Sequence, residues 1–304
     1  MREAFIFPGQ GSQYVGMGAE WYEYYPMVQD FYHTANDILG FNLSEISFQG
    51  PVEKLCQTEF TQPAIFVHSV FLDKILKEKD FHPHAVAGHS LGEFSALVSA
   101  EVLSFEETLQ IVKVRSAEMA KAGQFTAGTM AAIIGADDSQ LEQICNQDGV
   151  VVPANMNAPG QVVISGETTA VESAITTAKE IGVRRALPLN VSGAFHSPLM
   201  EPAREPLLNI VDSIQFHNAA VPVFQNVNGN PVTNASEIKE NILTQLENPV
   251  FWSDTILNMK NNGITHFTEV GPGKVLKGLN QRIHPDSTTT LFDKPEHLEN
   301  LEVL

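Results

Sequence analysis

The sequence predicts an α/β fold in which a main parallel sheet is interrupted by a smaller inserted unit. Short apolar runs alternate with longer amphipathic stretches along most of the 304 residues, which is typical of strands joined by helices. Between residues 126 and 194 the order becomes strand, helix, strand, strand, helix, strand. That order matches a split ferredoxin-like motif. We therefore predict a main subdomain of residues 1–125 and 195–304, and a ferredoxin-like small subdomain of residues 126–194.

The elements of the main subdomain follow from apolar runs and from the residues that begin and end them. Ala4–Phe7 is a short apolar strand that leads into a Gly- and Pro-containing loop, Pro8–Gln13, where the backbone can approach a ligand closely. Ser104 is a predicted N-cap, since Glu107 follows three residues later. The remaining predictions are helices at about 17–40, 62–79, 103–122 and 249–262, a helical turn after Pro51, and strands at 84–87, 221–224 and 265–270.

The predicted small subdomain contains strands at 129–134, 150–152, 161–165 and 184–189, with helices at 138–148 and 168–181. Its strands are rich in Val and Ile, which favour extended structure. The segment after Pro285 has no clear pattern, and 298–304 is consistent with either a short helix or disorder.

The charge of the chain restricts its partners. With 18 basic and 36 acidic side chains, the formal net charge is -18, which argues against a general nucleic-acid binder because phosphate contacts need clustered Lys and Arg. The same charge repels acidic proteins at long range. An acidic partner must therefore be met by a local basic patch.

The cysteines and the apolar runs predict a cytoplasmic, soluble protein. Cys56 and Cys145 have no metal-type spacing, and Met1–Ala4 does not begin a secretory signal. We predict two reduced, mostly buried thiols and no metal site. No apolar run approaches the roughly 20 residues that a membrane span requires, so we predict no membrane partner.

The segment Gly88–Gly92 has the pattern of a nucleophile elbow, with Ser90 between two glycines after an apolar strand and before a helix. The turn is so tight that side chains two residues on either side of the serine would clash with the backbone. The backbone N–H of Leu91 would then point at an oxyanion formed when Ser90 attacks a carbonyl. The pattern predicts acyl transfer on an α/β-hydrolase-like main subdomain, the alternative being a chance match in a loop.

A serine hydroxyl needs a base, and His196 is the best candidate among ten histidines. It lies in a loop bounded by Gly and Pro and follows Ser90 in the chain, as in α/β-hydrolase-type sites. The rival bases are His217 and His266, whereas His89 is expected to shape the site. The group that orients the base stays open between Asp254, Glu269 and a backbone carbonyl, which would make a Ser-His dyad.

Arg115 is the candidate for binding a substrate carboxylate. It has no acidic residue one turn earlier and lies on a helix whose other face is apolar, so its guanidinium could present two donors to a carboxylate. The alternative is a solvated arginine or a salt bridge with Glu118, three residues later.

Four segments taken together resemble a known family: Phe7–Gln13, Gly88–Glu93, Gly193–Ser197 and Glu269–Lys274. They are similar to segments of the malonyl-CoA:acyl carrier protein transacylases, in the same order and over nearly the whole chain. The resemblance implies transfer of a malonyl group from malonyl-CoA, through a serine ester, to the phosphopantetheine thiol of an acyl carrier protein. It implies no permanently bound cofactor.

The resemblance also implies a role for individual residues. Ser90 would be the nucleophile and His196 the base, with the backbone N–H groups of Gln10 and Leu91 forming the oxyanion hole. Arg115 would pair with the free carboxylate of malonate. The other implied site residues are Met119 in the same pocket, Gln245 with a carbonyl that orients the base, and Asn155 (or its neighbour Asn157) and Gln161 on the small subdomain.

Specificity and docking follow from this assignment as hypotheses. A buried guanidinium disfavours acyl groups without a carboxylate, so malonyl is preferred over acetyl. Phe195, beside the base, accompanies malonyl rather than methylmalonyl use in related acyltransferases. The predicted docking residues for the acidic carrier are Arg184, Arg185, Lys274, Lys277 and Arg282.

Three other functions are compatible with parts of the pattern. An acyl hydrolase could use the same scaffold, but one that acts on uncharged chains would not need Arg115. An acyltransferase that serves a polyketide synthase in trans would share every catalytic residue. A non-enzymatic scaffold is disfavoured because nucleophile, base and carboxylate anchor are all present.

Overall fold

The computed structural model describes residues 2–125 and 127–298, and it has two sheets. The larger sheet has the strand order β10-β9-β1-β2-β7-β8, in which all neighbouring strands are parallel except the pair β7 and β8. Its strands are β1 (Glu3–Phe7), β2 (Ala85–Gly88), β7 (Val223–Phe224), β8 (Pro231–Val232), β9 (His266–Val270) and β10 (Thr288–Phe292). The parallel main sheet of the predicted α/β fold is therefore confirmed.

The second sheet is antiparallel and contains β3 (Gly128–Ile134), β4 (Val151–Ala158), β5 (Gln161–Glu167) and β6 (Arg185–Pro188) in the order β4-β5-β3-β6. This is the arrangement of a ferredoxin-like βαββαβ unit, whose helices here are α8 (Asp138–Cys145) and α9 (Thr168–Glu180). The boundaries at 126 and 194 stay a prediction, and residue 126 lies outside the described residues.

Helices cover the larger sheet, as the connections between parallel strands require. The central α5 is buried along most of its 21 residues because it is enclosed by other helices and the sheet. The helices not yet named are α1 (Ala19–Tyr24), α2 (Pro26–Leu39), α3 (Leu43–Gln49), α4 (Val52–Leu55), α5 (Thr58–Glu78), α6 (Gly92–Ser99), α7 (Phe105–Phe125), α10 (Arg204–Asp212), α11 (Ala235–Gln245), α12 (Trp252–Asn261) and α13 (Val275–Ile283).

Several predicted elements differ from the structure for identifiable reasons. The single helix predicted at 17–40 is two helices, because Pro26 begins α2 with a new N-terminus. The segment after Pro285, which had no clear pattern, contains the edge strand β10, whose Thr-rich sequence pairs with β9. Helices α3, α10, α11 and α13 were not predicted. Residues 299–304 of the uncertain tail lie outside the described residues.

The prediction of mostly buried cysteines was wrong. Cys56 is exposed at the end of α4, where its sulfur lies 3.7 Å from the Gln13 amide nitrogen, and Cys145 is half-buried at the end of α8. Both thiols are free. Within 2–125 and 127–298, no helix has the length and apolar character needed to cross a membrane.

Candidate active site

Ser90 lies on a strained turn at the carboxyl end of β2. Its φ is 51°, a left-handed value that is uncommon for residues other than glycine, and α6 begins two residues later at Gly92. A Cβ atom at Gly88 would be 1.8 Å from the Gly92 carbonyl carbon, and one at Gly92 would be 2.0 Å from the Phe7 carbonyl oxygen. Both glycines are therefore required by close backbone approach, as the elbow pattern predicts.

The structure brings His196 to Ser90 across 106 residues of sequence. Ser90 Oγ lies 2.7 Å from His196 Nε2, which is hydrogen-bond distance for proton transfer to the ring. His196 Nδ1 donates to the backbone carbonyl of Gln245 at 2.9 Å, and this bond leaves Nε2 as the acceptor. The geometry is that of a Ser-His dyad oriented by a carbonyl.

The other candidates for base and orienting group lie elsewhere. His217 is exposed. His266 lies at the amino end of β9, whereas the elbow follows the carboxyl end of β2 in the same parallel sheet. Asp254 is exposed on α12. Glu269 accepts hydrogen bonds from the backbone N–H groups of Leu276 and Lys277, so it caps α13 instead of contacting the base.

The electrostatic surroundings keep His196 neutral. Its side chain is only 3% exposed, and burial is the largest cause that lowers its pKa, to about 3, with the positive charge of Arg115 adding to the effect. The hydrogen bond to Gln245 acts in the opposite direction by favouring the protonated ring. At neutral pH the imidazole is therefore free to accept the Ser90 proton.

Arg115 contributes a buried cation to the same site. It is 1% exposed, and its Nη2 donates to Ser90 Oγ at 3.1 Å and to Gln245 Oε1 at 2.9 Å. Nη1 donates to Gln62 Oε1 at 2.6 Å, and the guanidinium lies over the ring of Phe94. Burial lowers the pKa of Arg115 to about 10, so it stays charged at neutral pH. A buried guanidinium whose hydrogen-bond partners are neutral is suited to an anionic group.

The alternative of a surface arginine paired with Glu118 was wrong. Glu118 instead forms an ion pair with Lys121 on the exposed side of α7. The two residues lie three positions apart, but only Arg115 points towards α5 and the elbow.

Most of the other predicted site residues line one cleft between the two sheets. Gln10 and Leu91 lie beside Ser90, and no group in the described part of the chain accepts a hydrogen bond from either backbone N–H. Those free donors are what an oxyanion hole requires. The predicted residues that line the cleft are Gln10, His89, Ser90, Leu91, Met119, Asn155, Gln161, Phe195 and His196.

The small sheet forms the opposite wall. Asn157 and Asn155 both line the cleft, but Asn157 Oδ1 accepts a hydrogen bond from His89 Nε2 at 2.7 Å, whereas Asn155 forms a backbone bridge with Val250. Gln161, the first residue of β5, is a third polar residue on this side. The remaining residues of this wall are apolar, namely Met130, Val163, Leu189 and Val191.

Sequence reasoning missed the polar residues behind the nucleophile. Glu93, Asn226 and the side chain of Gln245 form a buried hydrogen-bonded group that contacts the backbone of the elbow. Glu93 is the last residue of the segment that resembles the family, yet no spacing indicates its partners, because they come from loops more than 130 residues away. Gln62, which accepts a hydrogen bond from Arg115, was likewise assigned no role, and Asn157 was named only as the alternative to Asn155.

Two of the predicted docking residues, Arg185 and Arg282, lie near Gln161, which lines the cleft. Arg185 and Gln161 are paired with Ile134 from its two sides, so they share one face of the small sheet. Arg282, on α13, donates to the Gln161 side chain. Arg184, Arg185, Lys274 and Arg282 are exposed, and Lys277 is half-buried.

Comparison with known proteins extends the likeness to almost the whole chain. The model of the acyl transferase domain family matches residues 4–288. The chain is 42% identical to the malonyl CoA-acyl carrier protein transacylase of Bacillus subtilis over 300 residues, which cover 97% of this chain and 95% of that protein. It is 43% identical to the protein of that name from Escherichia coli K12, over 96% of each.

Solved structures show the same likeness. An acyl carrier protein S-malonyltransferase from Vibrio cholerae superposes with a TM-score of 0.95 at 39% identity, over 99% of this chain and 100% of that chain. A malonyl-transacylase solved in complex with a type II PKS acyl-carrier protein gives a TM-score of 0.94 at 39% identity, covering both chains completely.

Proposed function

The chain belongs to the acyl transferase domain family, and from this premise we propose that it transfers a malonyl group from malonyl-CoA to the phosphopantetheine thiol of an acyl carrier protein. One observation carries the proposal. The Arg115 guanidinium contacts Ser90 Oγ, the same oxygen that contacts His196, so an acyl group on that oxygen has a buried cation beside it. A malonyl group supplies the matching carboxylate.

In the first half-reaction, Ser90 Oγ attacks the thioester carbonyl of malonyl-CoA while His196 Nε2 takes the hydroxyl proton. The negative charge that develops on the carbonyl oxygen is stabilised by the backbone N–H groups of Gln10 and Leu91. The C–S bond then breaks, and coenzyme A leaves as a thiol after receiving the proton from His196. The product is a malonyl ester on Ser90.

The second half-reaction runs the same steps in reverse with a different thiol. The phosphopantetheine thiol of the carrier gives its proton to His196 and attacks the ester carbonyl, and the same two N–H groups stabilise the oxyanion. Ser90 leaves with the proton returned by His196. No resident metal or cofactor takes part in either step.

Arg115 makes the transfer selective for acyl groups that end in a carboxylate. Its donors are directed at Ser90 Oγ, Gln62 and Gln245. We propose that the malonyl carboxylate takes the Nη2 contact with Ser90 once that oxygen is esterified. An acetyl group leaves the buried charge without an anion, at a cost of about 2–3 kcal/mol.

Other residues of the cleft adjust substrate fit in this proposal. Met119 and Phe195 bound the acyl pocket, and Phe195 restricts branching at the malonyl α-carbon. His89 holds Asn157, and Asn155 and Gln161 face the pantetheine arm from the small sheet.

The carrier docks, in this proposal, on the predicted basic residues. Arg184 and Arg185 are exposed on the small subdomain, and Lys274 and Arg282 are exposed on the main subdomain. Lys274 directly precedes Val275, which is 47% exposed and lines the cleft. Acidic carriers would be attracted there despite the net charge of -18. The proposal includes the cytoplasmic location that the sequence predicts.

The pathway stays open between fatty acid and polyketide synthesis. The structural likeness to a transacylase in complex with a type II PKS acyl-carrier protein supports a polyketide carrier as a second candidate. A proofreading hydrolase is disfavoured by Arg115, because the wall behind Ser90 is built for a charged acyl group.

Radiolabelled malonyl-CoA tests the proposal directly. We expect the label to appear on Ser90 and to move to a phosphopantetheinylated carrier when carrier is added, whereas Ser90→Ala should take up no label. Detection by gel fluorography and by mass spectrometry of the peptide that contains residue 90 measures both steps. Release of the label as free malonate at the same rate with and without carrier would instead indicate a hydrolase.

A further inference from the structure

A buried carboxylate with no part in the proposed mechanism lies behind Ser90. Glu93, on the first turn of α6, is fully buried and accepts three hydrogen bonds. The donors are Gln225 Nε2 at 2.9 Å, the Asn226 backbone N–H at 2.9 Å and Gln245 Nε2 at 3.1 Å. Every partner is a donor, so the side chain acts as an acceptor only, as an ionised carboxylate does.

Two of these partners hold the backbone of the elbow. Asn226 Oδ1 accepts from the Ser90 backbone N–H at 2.7 Å, and Asn226 Nδ2 donates to the Gly88 carbonyl at 2.7 Å. Gln245 Nε2 also donates to the Ser90 carbonyl at 3.1 Å. A residue other than glycine stays in the left-handed region only where surrounding contacts hold its backbone there. At Ser90 those contacts come from Asn226 and Gln245, and both residues donate a hydrogen bond to Glu93.

The same carboxylate determines which way the Gln245 amide faces. With Nε2 donating to Glu93, the amide presents Oε1 to Arg115 Nη2 at 2.9 Å. The flipped amide would place its oxygen against the carboxylate and its N–H groups against the guanidinium, which are two repulsive contacts. The backbone carbonyl of Gln245 meanwhile accepts from His196. Through Asn226 and Gln245, Glu93 is thus connected to Ser90, Arg115 and His196.

We propose that Glu93 is a positioning residue for acyl transfer, which holds Ser90 and Arg115 in their reacting geometry through Asn226 and Gln245. This inference rests on the proposed function for the reaction that it supports. Burial raises the pKa of Glu93 to about 7, while the three hydrogen bonds and the charge of Arg115 oppose that rise. In either protonation state the position of its oxygens is fixed by the same three donors.

Two substitutions separate position from charge. In Glu93→Gln, the new amide oxygen can take the place of Oε2 and still accept from Asn226 and Gln245, so the contacts that face the site survive. In Glu93→Ala they are lost. We expect kcat/KM for malonyl loading to fall about 100-fold in the alanine variant and less than about 10-fold in the glutamine variant.

A matched control distinguishes this effect from the loss of any buried carboxylate. Asp73 is 4% exposed, bonds to Ser99 and Lys77 and contacts no cleft residue. Asp73→Asn should therefore change thermal stability but leave loading within about twofold. If Glu93→Ala does not fold, as judged by circular dichroism, Glu93→Asp replaces it: the acceptors are withdrawn by one methylene, and a loss of about 10-fold is expected.

A double-mutant comparison tests whether Glu93 acts through Gln245. Side-chain removal in Gln245→Ala and in Glu93→Ala should be strongly non-additive, because the second change removes a contact that the first has already broken. The labelling rate of Ser90 by phenylmethylsulfonyl fluoride, which carries no carboxylate, reports the elbow and the base without Arg115. It should fall about 10-fold in Glu93→Ala, less than malonyl loading does.

Three results would overturn the inference: malonyl loading by folded Glu93→Ala within twofold of wild type, Glu93→Gln as impaired as Glu93→Ala, or additive effects of Glu93→Ala and Gln245→Ala. Failure of the proposed function gives a different pattern. The wild type would not load malonyl, yet Glu93→Ala would still slow sulfonyl labelling of Ser90, and the positioning inference would stand.

Discussion

The two walls of the cleft are built differently. The wall on the large sheet is polar and buried: Ser90, His196, Arg115 and Gln245 are joined by hydrogen bonds of 2.7–3.1 Å. The wall on the small sheet is mostly apolar, and its polar contact with the elbow side is the bond of Asn157 to His89.

This difference assigns catalysis to the large-sheet wall and substrate accommodation to the small-sheet wall. Proton transfer and carboxylate recognition require atoms held within a few tenths of an ångström, which a buried network provides. An apolar wall provides contact area but no directional hydrogen bonds, so it can accommodate the pantetheine arm of either coenzyme A or the carrier. We therefore expect substitutions on the large-sheet wall to change rates and those on the small-sheet side to change apparent affinities.

The strongest test of the comparison is Arg115. Arg115→Ala should lower kcat/KM for malonyl loading about 1000-fold while acetyl loading falls far less, because only malonyl carries the anion that the guanidinium binds. Initial rates with malonyl-CoA and acetyl-CoA measure the difference between the two losses in kcat/KM. Arg204→Ala is the control, since Arg204 pairs with Glu247 at the exposed surface. An equal loss for both acyl groups would contradict the assignment.

A smaller effect is expected from the buried base on the pH dependence of stability. His196 has a pKa of about 3 in the folded chain and an unperturbed value of about 6.5, so the unfolded chain binds more protons between these values. Stability from this group is complete above pH 6.5 and is lost as the pH falls towards 3. Relative to His196→Gln, wild type should lose about 2 kcal/mol between pH 7.5 and 5.

Urea unfolding of both proteins at the two pH values measures this difference, and taking the difference cancels groups that both share, such as Glu93. Val163→Ala on the other wall is the control, since valine has no titratable or hydrogen-bonding side chain, and it should leave the pH dependence unchanged. Identical pH dependence in wild type and His196→Gln would mean that the imidazole is not held neutral.

The smallest effect is expected at the carrier surface on the small-sheet side. Arg184→Glu combined with Arg185→Glu should raise KM for the carrier about 3- to 10-fold and leave malonyl loading unchanged, because exposed charges steer a partner without touching the acyl site. Transfer rates at several carrier and salt concentrations measure this. Lys179→Glu reverses an exposed charge on α9 as a control. Unchanged carrier kinetics would exclude this patch.

The sequence predicted those parts of the fold that depend on local signals. The elbow follows from Gly88, Ser90 and Gly92, and the capping box at the start of α7 is present, with the Glu107 N–H donating to Ser104 Oγ and the Ser104 N–H donating to Glu107. The edge strand β8 and helix α11 were missed. A strand of two residues has no periodicity to read, and the polar sequence of α11 shows only a weak apolar stripe.

The candidate site was predicted unevenly for the same reason. Ser90 and His196 were recognisable from the residues themselves, whereas the place of Gln245 came from a family resemblance. Nothing local connects Glu93 to Asn226, which are 133 positions apart, or Ser90 to Gln245, which are 155 apart.

The sequence by itself determined the strained turn at Ser90, the division into a parallel main sheet and a ferredoxin-like unit, and a reaction class. The tertiary structure alone decided that Arg115 is a buried cation on the serine and not a surface arginine, that the base is held by a carbonyl, and that Glu93 lies behind both. The physical reason is the distance along the chain over which each kind of interaction acts. Backbone strain and periodicity act over a few residues, whereas burial and hydrogen-bond partners exist only once distant segments have packed together.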